Sequence, residues 1–318
     1  MTRMLQTYGN LKEGSYTTHR TYIGKDRNDY VFSIHIHTNK PQSVLIVHGY
    51  GGTSAMFYKY FAELSRYYNV YALDLRGTGM SGRGTINIET PDQYEKYFVE
   101  GIAKYVEHFK LNKIVLIAHS MGAYFSSLYV DSHPDIVDKL VLLSPAGFTK
   151  VDQGALNDLY AYIYNMKWPV KGILKKAVKI WQNGESPLAL FRKFGMLSHI
   201  VLGKYKSMLN MPNKVECSDY LKFVYQVNVQ NPCSDKCLGR LITFHGYGFN
   251  PLESRVKLPS DTTFIFGEKD WVKTDGVLRY IQDHPSMAIK VVPNAGHNLN
   301  IQEVDAVFSI LRERKIIG

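Results

Sequence analysis

From residue 43 onward, short and wholly apolar runs alternate with longer stretches in which apolar residues recur at helical spacing. The apolar runs predict strands over 43–48, 69–74, 113–118, 139–144, 262–266 and 288–293; the stretches between them predict helices over 53–66, 91–109, 121–132, 272–282 and 302–314. Strands that are apolar on both faces and alternate with helices imply the α/β class: a mostly parallel twisted sheet with helices on both faces. Upstream, residues 20–24 and 30–37 carry strand-forming residues on either side of the turn-forming segment Lys25-Asp26-Arg27-Asn28-Asp29.

The alternation stops between residues 150 and 260, where aromatic-rich, basic, helix-compatible segments take over. The chain therefore divides into a first core part over 1–149, an inserted helical cap or lid over 150–260 and a second core part over 261–318. An insertion between two core strands is expected to fold over the strand ends, where ligands bind in open α/β sheets.

A length of 318 residues, 45% of them hydrophobic, suffices for one large core. No apolar run approaches a membrane span, and residues 1–10 lack the apolar centre of a secretory signal. The expected location is intracellular, either cytoplasmic or peripheral at a membrane or lipid surface, and the short Arg-containing start leaves mitochondrial import open. Cys217, Cys233 and Cys237 are too few for a disulfide framework, and no second pair completes a zinc site around the last two. No metal and no cofactor are expected. The net charge of +10 is concentrated: residues 150–240 hold 14 Lys and Arg against 6 Asp and Glu. That segment either meets something acidic or is a solvated face.

The chemistry begins with Ala118-His119-Ser120-Met121-Gly122, which lies between a predicted strand and a predicted helix. A nucleophile elbow needs this context, with small residues two before and two after the serine to keep the strained turn free of clashes. Alanine stands at the first small position, where a methyl group is tolerated. A serine hydroxyl needs a histidine to take its proton and a carboxylate to orient that histidine. Asp270 follows the predicted strand 262–266 in a Gly-x-x-Asp turn, and His297 follows the last predicted strand in a small-residue turn. Ser120, Asp270 and His297 thus occur in the order nucleophile, acid, base, with Asp275 as reserve acid.

The loop His48-Gly49-Tyr50-Gly51-Gly52 is the candidate source of one oxyanion donor, from Tyr50 or Gly51, and Met121 N–H is the other. No Gly-Lys-Ser/Thr and no dinucleotide-binding spacing follows those glycines, which argues against a nucleotide. Asp74 and Arg76 are expected to form a buried ion pair that fixes their loop. His119 is expected to turn away from the site, and His245 to lie in the cap or its return.

Together, the His48-Gly49 loop, the segment 74–81, the Ser120 elbow, Gly267-x-x-Asp270 and Gly296-His297 resemble the α/β-hydrolase fold family over about residues 40–315. Within it, Tyr225-Gln226-Val227-Asn228-Val229-Gln230-Asn231-Pro232, Gly246-Tyr247-Gly248-Phe249 and Pro251-Leu252 resemble one branch. That branch holds the lipid-droplet lipase coactivator, the N-acyl-phosphatidylethanolamine lipase and the mitochondrial cardiolipin deacylase. The coactivator lacks the nucleophile that Ser120 supplies here, which favours a working hydrolase. The branch often carries His-x4-Asp, linked to acyl transfer; Gln302 replaces that aspartate and argues against transfer.

Val170, Ile173, Leu174, Ala177, Val178 and Trp181 recur at helical spacing, opposite Lys171, Lys175, Lys176 and Lys179. A basic amphipathic helix of this kind suits an anionic lipid interface, or packs its apolar face on the core. Trp168, Trp181 and Phe191 are candidate substrate-binding residues. The expected activity is serine-dependent cleavage of a lipid ester, of phospholipid or lysophospholipid type. The alternatives are a small-substrate hydrolase, acting on a carbon–carbon bond, a peptide or a xenobiotic ester, and a non-catalytic lipid-surface scaffold. Nucleic acid is not an expected partner, and the oligomeric state is open.

Overall fold

The computed structural model describes residues 1–151, 209–243, 246–272 and 274–318, together with 154, 157, 161, 164–165, 170–183, 185–186, 188–189, 192 and 206. Eight strands form one sheet: β1 (Thr17–Tyr22), β2 (Tyr30–Ile36), β3 (Ser43–Val47), β4 (Asn69–Leu73), β5 (Ile114–His119), β6 (Val137–Leu143), β7 (Thr262–Gly267) and β8 (Ala288–Val292). Their spatial order is β1-β2-β4-β3-β5-β6-β7-β8. β1 and β2 pair antiparallel, as do β2 and β4, while every pairing from β4 through β8 is parallel.

The sheet has helices on both faces, and the period-two alternation of the strands decides which residue goes where. Val44 and Ile46 of β3 face α1 (Tyr58–Leu64) and the C-terminal helix Val304–Glu313. Leu45 and Val47 face α2 (Pro91–His108) and α3 (Met121–Ser132). All six residues of β5 are buried. Each fully buried aliphatic side chain there contributes about 1.5–3 kcal/mol. α2 starts where it does because Thr90 and Gln93 form a reciprocal capping box and Pro91 occupies the first helical position.

The predicted elements recur with shifts that have local causes. β1 begins at Thr17 rather than residue 20, because backbone pairing with β2 extends through Thr17, Thr18 and His19, polar residues on an edge strand. The helix expected over 53–66 opens as a 3-10 turn, Ser54–Phe57, before α1. The helix expected from 272 begins at Asp275, since Val272 N–H is held by the Asp270 carboxylate.

Between β6 and β7 the described residues contribute nothing to the main sheet. They include the helices Val170–Gln182, Lys214–Asn228 and Leu238–Leu241. This segment is joined to the loops at the carboxyl ends of β3 and β4: Asn228 Nδ2 donates to Gly51 O, Ser234 Oγ donates to Arg76 O, and Arg83 Nε donates to Asn231 O. Among the described residues no helix is long and apolar enough to cross a membrane.

Candidate active site

β5 delivers Ser120 at its carboxyl end with φ 55° and ψ −120°, a conformation that an L residue adopts only at a cost of about 1–3 kcal/mol. The neighbouring strand holds it there, because Ser120 N–H donates to Leu143 O at 2.9 Å. Two glycines let the β3 loop close on the elbow. A Cβ on Gly122 would lie 2.2 Å from His48 O, and one on Gly49 would lie 2.8 Å from Ser120 Cβ. Ser120 is also the N-cap residue of α3, so the positive end of that helix lies at the serine.

Ser120 Oγ lies 2.9 Å from His297 Nε2, and His297 Nδ1 lies 2.9 Å from Asp270 Oδ1. Three side chains from three widely separated loops thus form one hydrogen-bonded row. Burial pushes the Asp270 carboxyl up. The hydrogen bond and charge of His297, the nearby Ser144 hydroxyl and Val272 N–H outweigh that and hold it below the usual carboxylate range. The reserve acid, Asp275, is exposed in the first turn of its helix.

The loop after β3 is braced from two sides. His48 donates through Nδ1 to Gly49 O at 2.7 Å and accepts Leu75 N–H at Nε2, 3.0 Å, which fixes a neutral tautomer and ties this loop to the one after β4. From the intervening segment, Asn228 holds Gly51 O at 2.8 Å, and Ser186 Oγ meets Tyr50 Oη at 2.7 Å. Tyr50, Gly51 and Met121 therefore belong to two chain segments that pack directly against each other at the elbow.

Two expectations are corrected. Asp74 and Arg76 do not pair: the Asp74 carboxylate is filled by Thr53 Oγ1, Ser54 N–H and Met80 N–H, while Arg76 turns to Asp29 and Glu100 and stacks 4.1 Å over the Tyr97 ring. Two of these donors come from the segment after β3 and one from the turn after β4, so the carboxylate ties the two loops together. Nor does His119 turn away. Its Nε2 donates to His297 O at 2.8 Å, and the two rings are 5.0 Å apart. Burial first, and the neighbouring His297 second, push His119 down to about 3, so it is a neutral donor.

Sequence reasoning also passed over Trp271, whose ring lies 4.7 Å from that of His297, and the detail of Gln302. Gln302 Oε1 accepts Gly296 N–H and Nε2 donates to Leu209 O, each at 2.9 Å, so its amide clamps the histidine loop to the intervening segment. Its place five residues past His297, where the His-x4-Asp pattern has an aspartate, is visible in the sequence, but nothing in a linear pattern reveals two satisfied amide ends.

Of the candidate substrate-binding residues, Trp168 and Phe191 lie outside the described residues, as does His245. Trp181 packs half-buried on the core, with its indole N–H donating to Ile242 O at 2.8 Å. Val178 is buried on the same helix, while Lys175, Lys176 and Lys179 are exposed. Of that helix's remaining apolar positions, the side chains of Val170, Ile173, Leu174 and Ala177 lie outside the description. A cleft of about 830 Å³ opens elsewhere, between α1 and the C-terminal helix, and neither Ser120 nor His297 lines it.

The profile of the alpha/beta hydrolase fold matches residues 42–171, the stretch that runs from β3 through the elbow. The chain has the α/β-hydrolase fold. Solved α/β hydrolases superpose along its whole length: carboxylesterase CesB from Bacillus subtilis has a TM-score of 0.66 at 16% identity, covering 100% of this chain and 97% of that one. A bacterial membrane phospholipase A gives 0.64 at 18%, covering 99% and 93%. By sequence, the chain is similar to a probable 1-acylglycerol-3-phosphate O-acyltransferase of Oryza sativa, 26% identical over 80% of the chain and 62% of that protein. It is also similar to the (lyso)-N-acylphosphatidylethanolamine lipase of Bos taurus, 24% identical over 73% and 66%. These relatives match the branch suggested by the Tyr225 to Pro232 segment. The chain spans 62% of the rice protein and 56% of a Caenorhabditis elegans relative, so it corresponds to only part of those proteins.

Proposed function

We propose that this α/β hydrolase is a serine esterase acting on a lipid ester through an acyl-enzyme, and that residues 150–260 serve as the cap over its site. The observation that carries the reading is the 2.9 Å contact between Ser120 Oγ and His297 Nε2, continued by the 2.9 Å contact from Nδ1 to Asp270. In the first step Ser120 Oγ bonds to the ester carbonyl carbon while its proton passes to His297 Nε2, and Asp270 stabilises the imidazolium. Charge develops on the carbonyl oxygen, where Met121 N–H and an N–H of Tyr50 or Gly51 receive it. The imidazolium then gives its proton to the departing alkoxide, leaving an acyl-serine. Water, deprotonated by the same histidine, releases the acid and restores the hydroxyl.

A lipid substrate is supported by the relatives, whose names refer to N-acylphosphatidylethanolamine and to 1-acylglycerol-3-phosphate, and by the excess of lysine and arginine in the cap. Lysines attract phosphate head groups and anionic surfaces, so the protein acts peripherally at such a surface. Hydrolysis is preferred to transfer because Gln302, in place of an acid, has both amide ends occupied by backbone.

The reading is tested by offering purified protein a panel of lysophospholipids, diacyl phospholipids and short-chain esters. Wild type releases fatty acid from the long-chain phospholipid members, and Ser120→Ala lowers that rate by about a thousandfold or more. Preference for short esters would replace the lipid assignment with the small-substrate one. Equal rates for wild type and Ser120→Ala would remove the mechanism.

A further inference from the structure

The first hairpin carries a feature unconnected with the serine site. His35 and His37 are two residues apart on β2 and so share a face of the sheet. On β1, the register pairs Thr17 with His35 and His19 with Ser33, which places His19 diagonally beside His35 on that same face. One ring nitrogen from each of the three histidines lies within 4.8 Å of the other two.

The three side chains are graded in exposure. His37 is exposed, His19 is half-buried, and His35 is fully buried at 0%. The hydrogen bonds of His35 are one-sided: Nε2 meets Ser33 Oγ at 2.8 Å and Tyr105 Oη at 2.7 Å, whereas Nδ1 is buried with no partner among the described residues. A buried imidazole nitrogen without a partner is costly. Metal-bound histidines show this asymmetry, one nitrogen fixed by a hydrogen bond and the other bearing the lone pair.

We propose that His19, His35 and His37 bind one divalent transition-metal ion of the zinc, nickel or copper type. Imidazole suits these ions, while magnesium and calcium prefer oxygen ligands. Two nitrogens that share a zinc ion at about 2.0–2.1 Å lie about 3.4 Å apart when the geometry is tetrahedral. The nitrogens, within 4.8 Å of one another here, would have to draw together to that value, which calls for rotation of the two outer rings toward His35. His19 would leave its stack on His35, where the centroids are 4.1 Å apart, and its contact with Thr17 Oγ1. The ion would pin the edge strand β1 to β2. Because β5 lies three strands beyond β2 in the sheet, the site is independent of Ser120.

The test uses the full chain, tag-free and treated with chelator, with zinc chloride in equilibrium dialysis and cobalt chloride for absorption. The expected result is one zinc per chain, a zinc-dependent rise in Tm, and weak visible cobalt bands of nitrogen ligation. His19→Gln combined with His37→Gln, both partly or fully exposed, should weaken zinc binding at least tenfold while Ser120 still reacts with a fluorophosphonate. Absence of stoichiometric zinc would overturn the proposal, as would wild-type affinity in the double variant. An intense near-ultraviolet thiolate band with cobalt would also overturn it, by assigning the ion to a cysteine.

Discussion

His119 donates its Nε2–H to the backbone carbonyl of His297 across 2.8 Å, so the residue before the nucleophile holds the loop that carries the base. The elbow and the histidine loop are therefore one mechanical unit. Because the folded protein keeps His119 near 3, against about 6.5 when unfolded, only the unfolded chain binds that proton between those pH values. Stability contributed by the neutral form is complete above pH 6.5 and is lost as pH falls, by about 1.4 kcal/mol per pH unit for one proton. His119→Gln keeps a donor and removes the titration. Urea unfolding from pH 7 to pH 4 should show a shallower acid limb in this variant than in wild type; identical limbs would refute the buried, neutral assignment.

Gln302 acts through the loop rather than on substrate. Gln302→Ala deletes the acceptor for the half-buried Gly296 N–H and the donor to Leu209 O, leaving the buried Leu209 carbonyl without that donor at a cost of about 1–3 kcal/mol. We expect kcat to fall about tenfold or more with KM nearly unchanged, as misplacement of a base lowers transition-state stabilisation more than binding. Gln302→Glu retains the acceptor and should recover part of kcat. A change confined to KM would show that the residue contacts substrate instead.

The exposed lysines of the helix Val170–Gln182 give a surface prediction. Each lysine near an anionic leaflet contributes about 1 kcal/mol, screened by salt. Replacing Lys175, Lys176 and Lys179 by Glu should weaken binding to phosphatidylserine vesicles by more than tenfold and leave binding to neutral vesicles unchanged. If wild type partitions equally to both vesicle types at low salt, the lysines are a solvated face and nothing more.

Strands whose two faces are both buried announce themselves as unbroken apolar runs, which is why β3 to β7 were legible to within a few residues; β8, an edge strand that is largely half-buried, was legible from its apolar residues on either side of Lys290. β1 was misplaced by three residues because an edge strand needs no apolar pattern, and Thr17, Thr18 and His19 are polar residues that continue the backbone pairing with β2. Ser120, Asp270 and His297 were legible because each sits at the end of such a run, in a short turn with small neighbours. The partners of Asp74 and Arg76, the ring of His119 and the clamp of Gln302 were not. They depend on which of several nearby donors has the better angle, and that is settled only when the loops after β3, β4, β5 and β8 are packed together. The histidine triplet on the first hairpin was missed for a related reason: His19 joins His35 and His37 only through strand register.

The central claim, that Ser120 is a nucleophile activated by His297, is tested most directly by intact-mass titration with a fluorophosphonate. One phosphonyl adduct per chain, mapped to Ser120, is the predicted result, with no adduct in Ser120→Ala and labelling slowed by about a hundredfold or more in His297→Ala. Wild-type protein that stays unmodified while folded, or an adduct mapped to another residue, would contradict it.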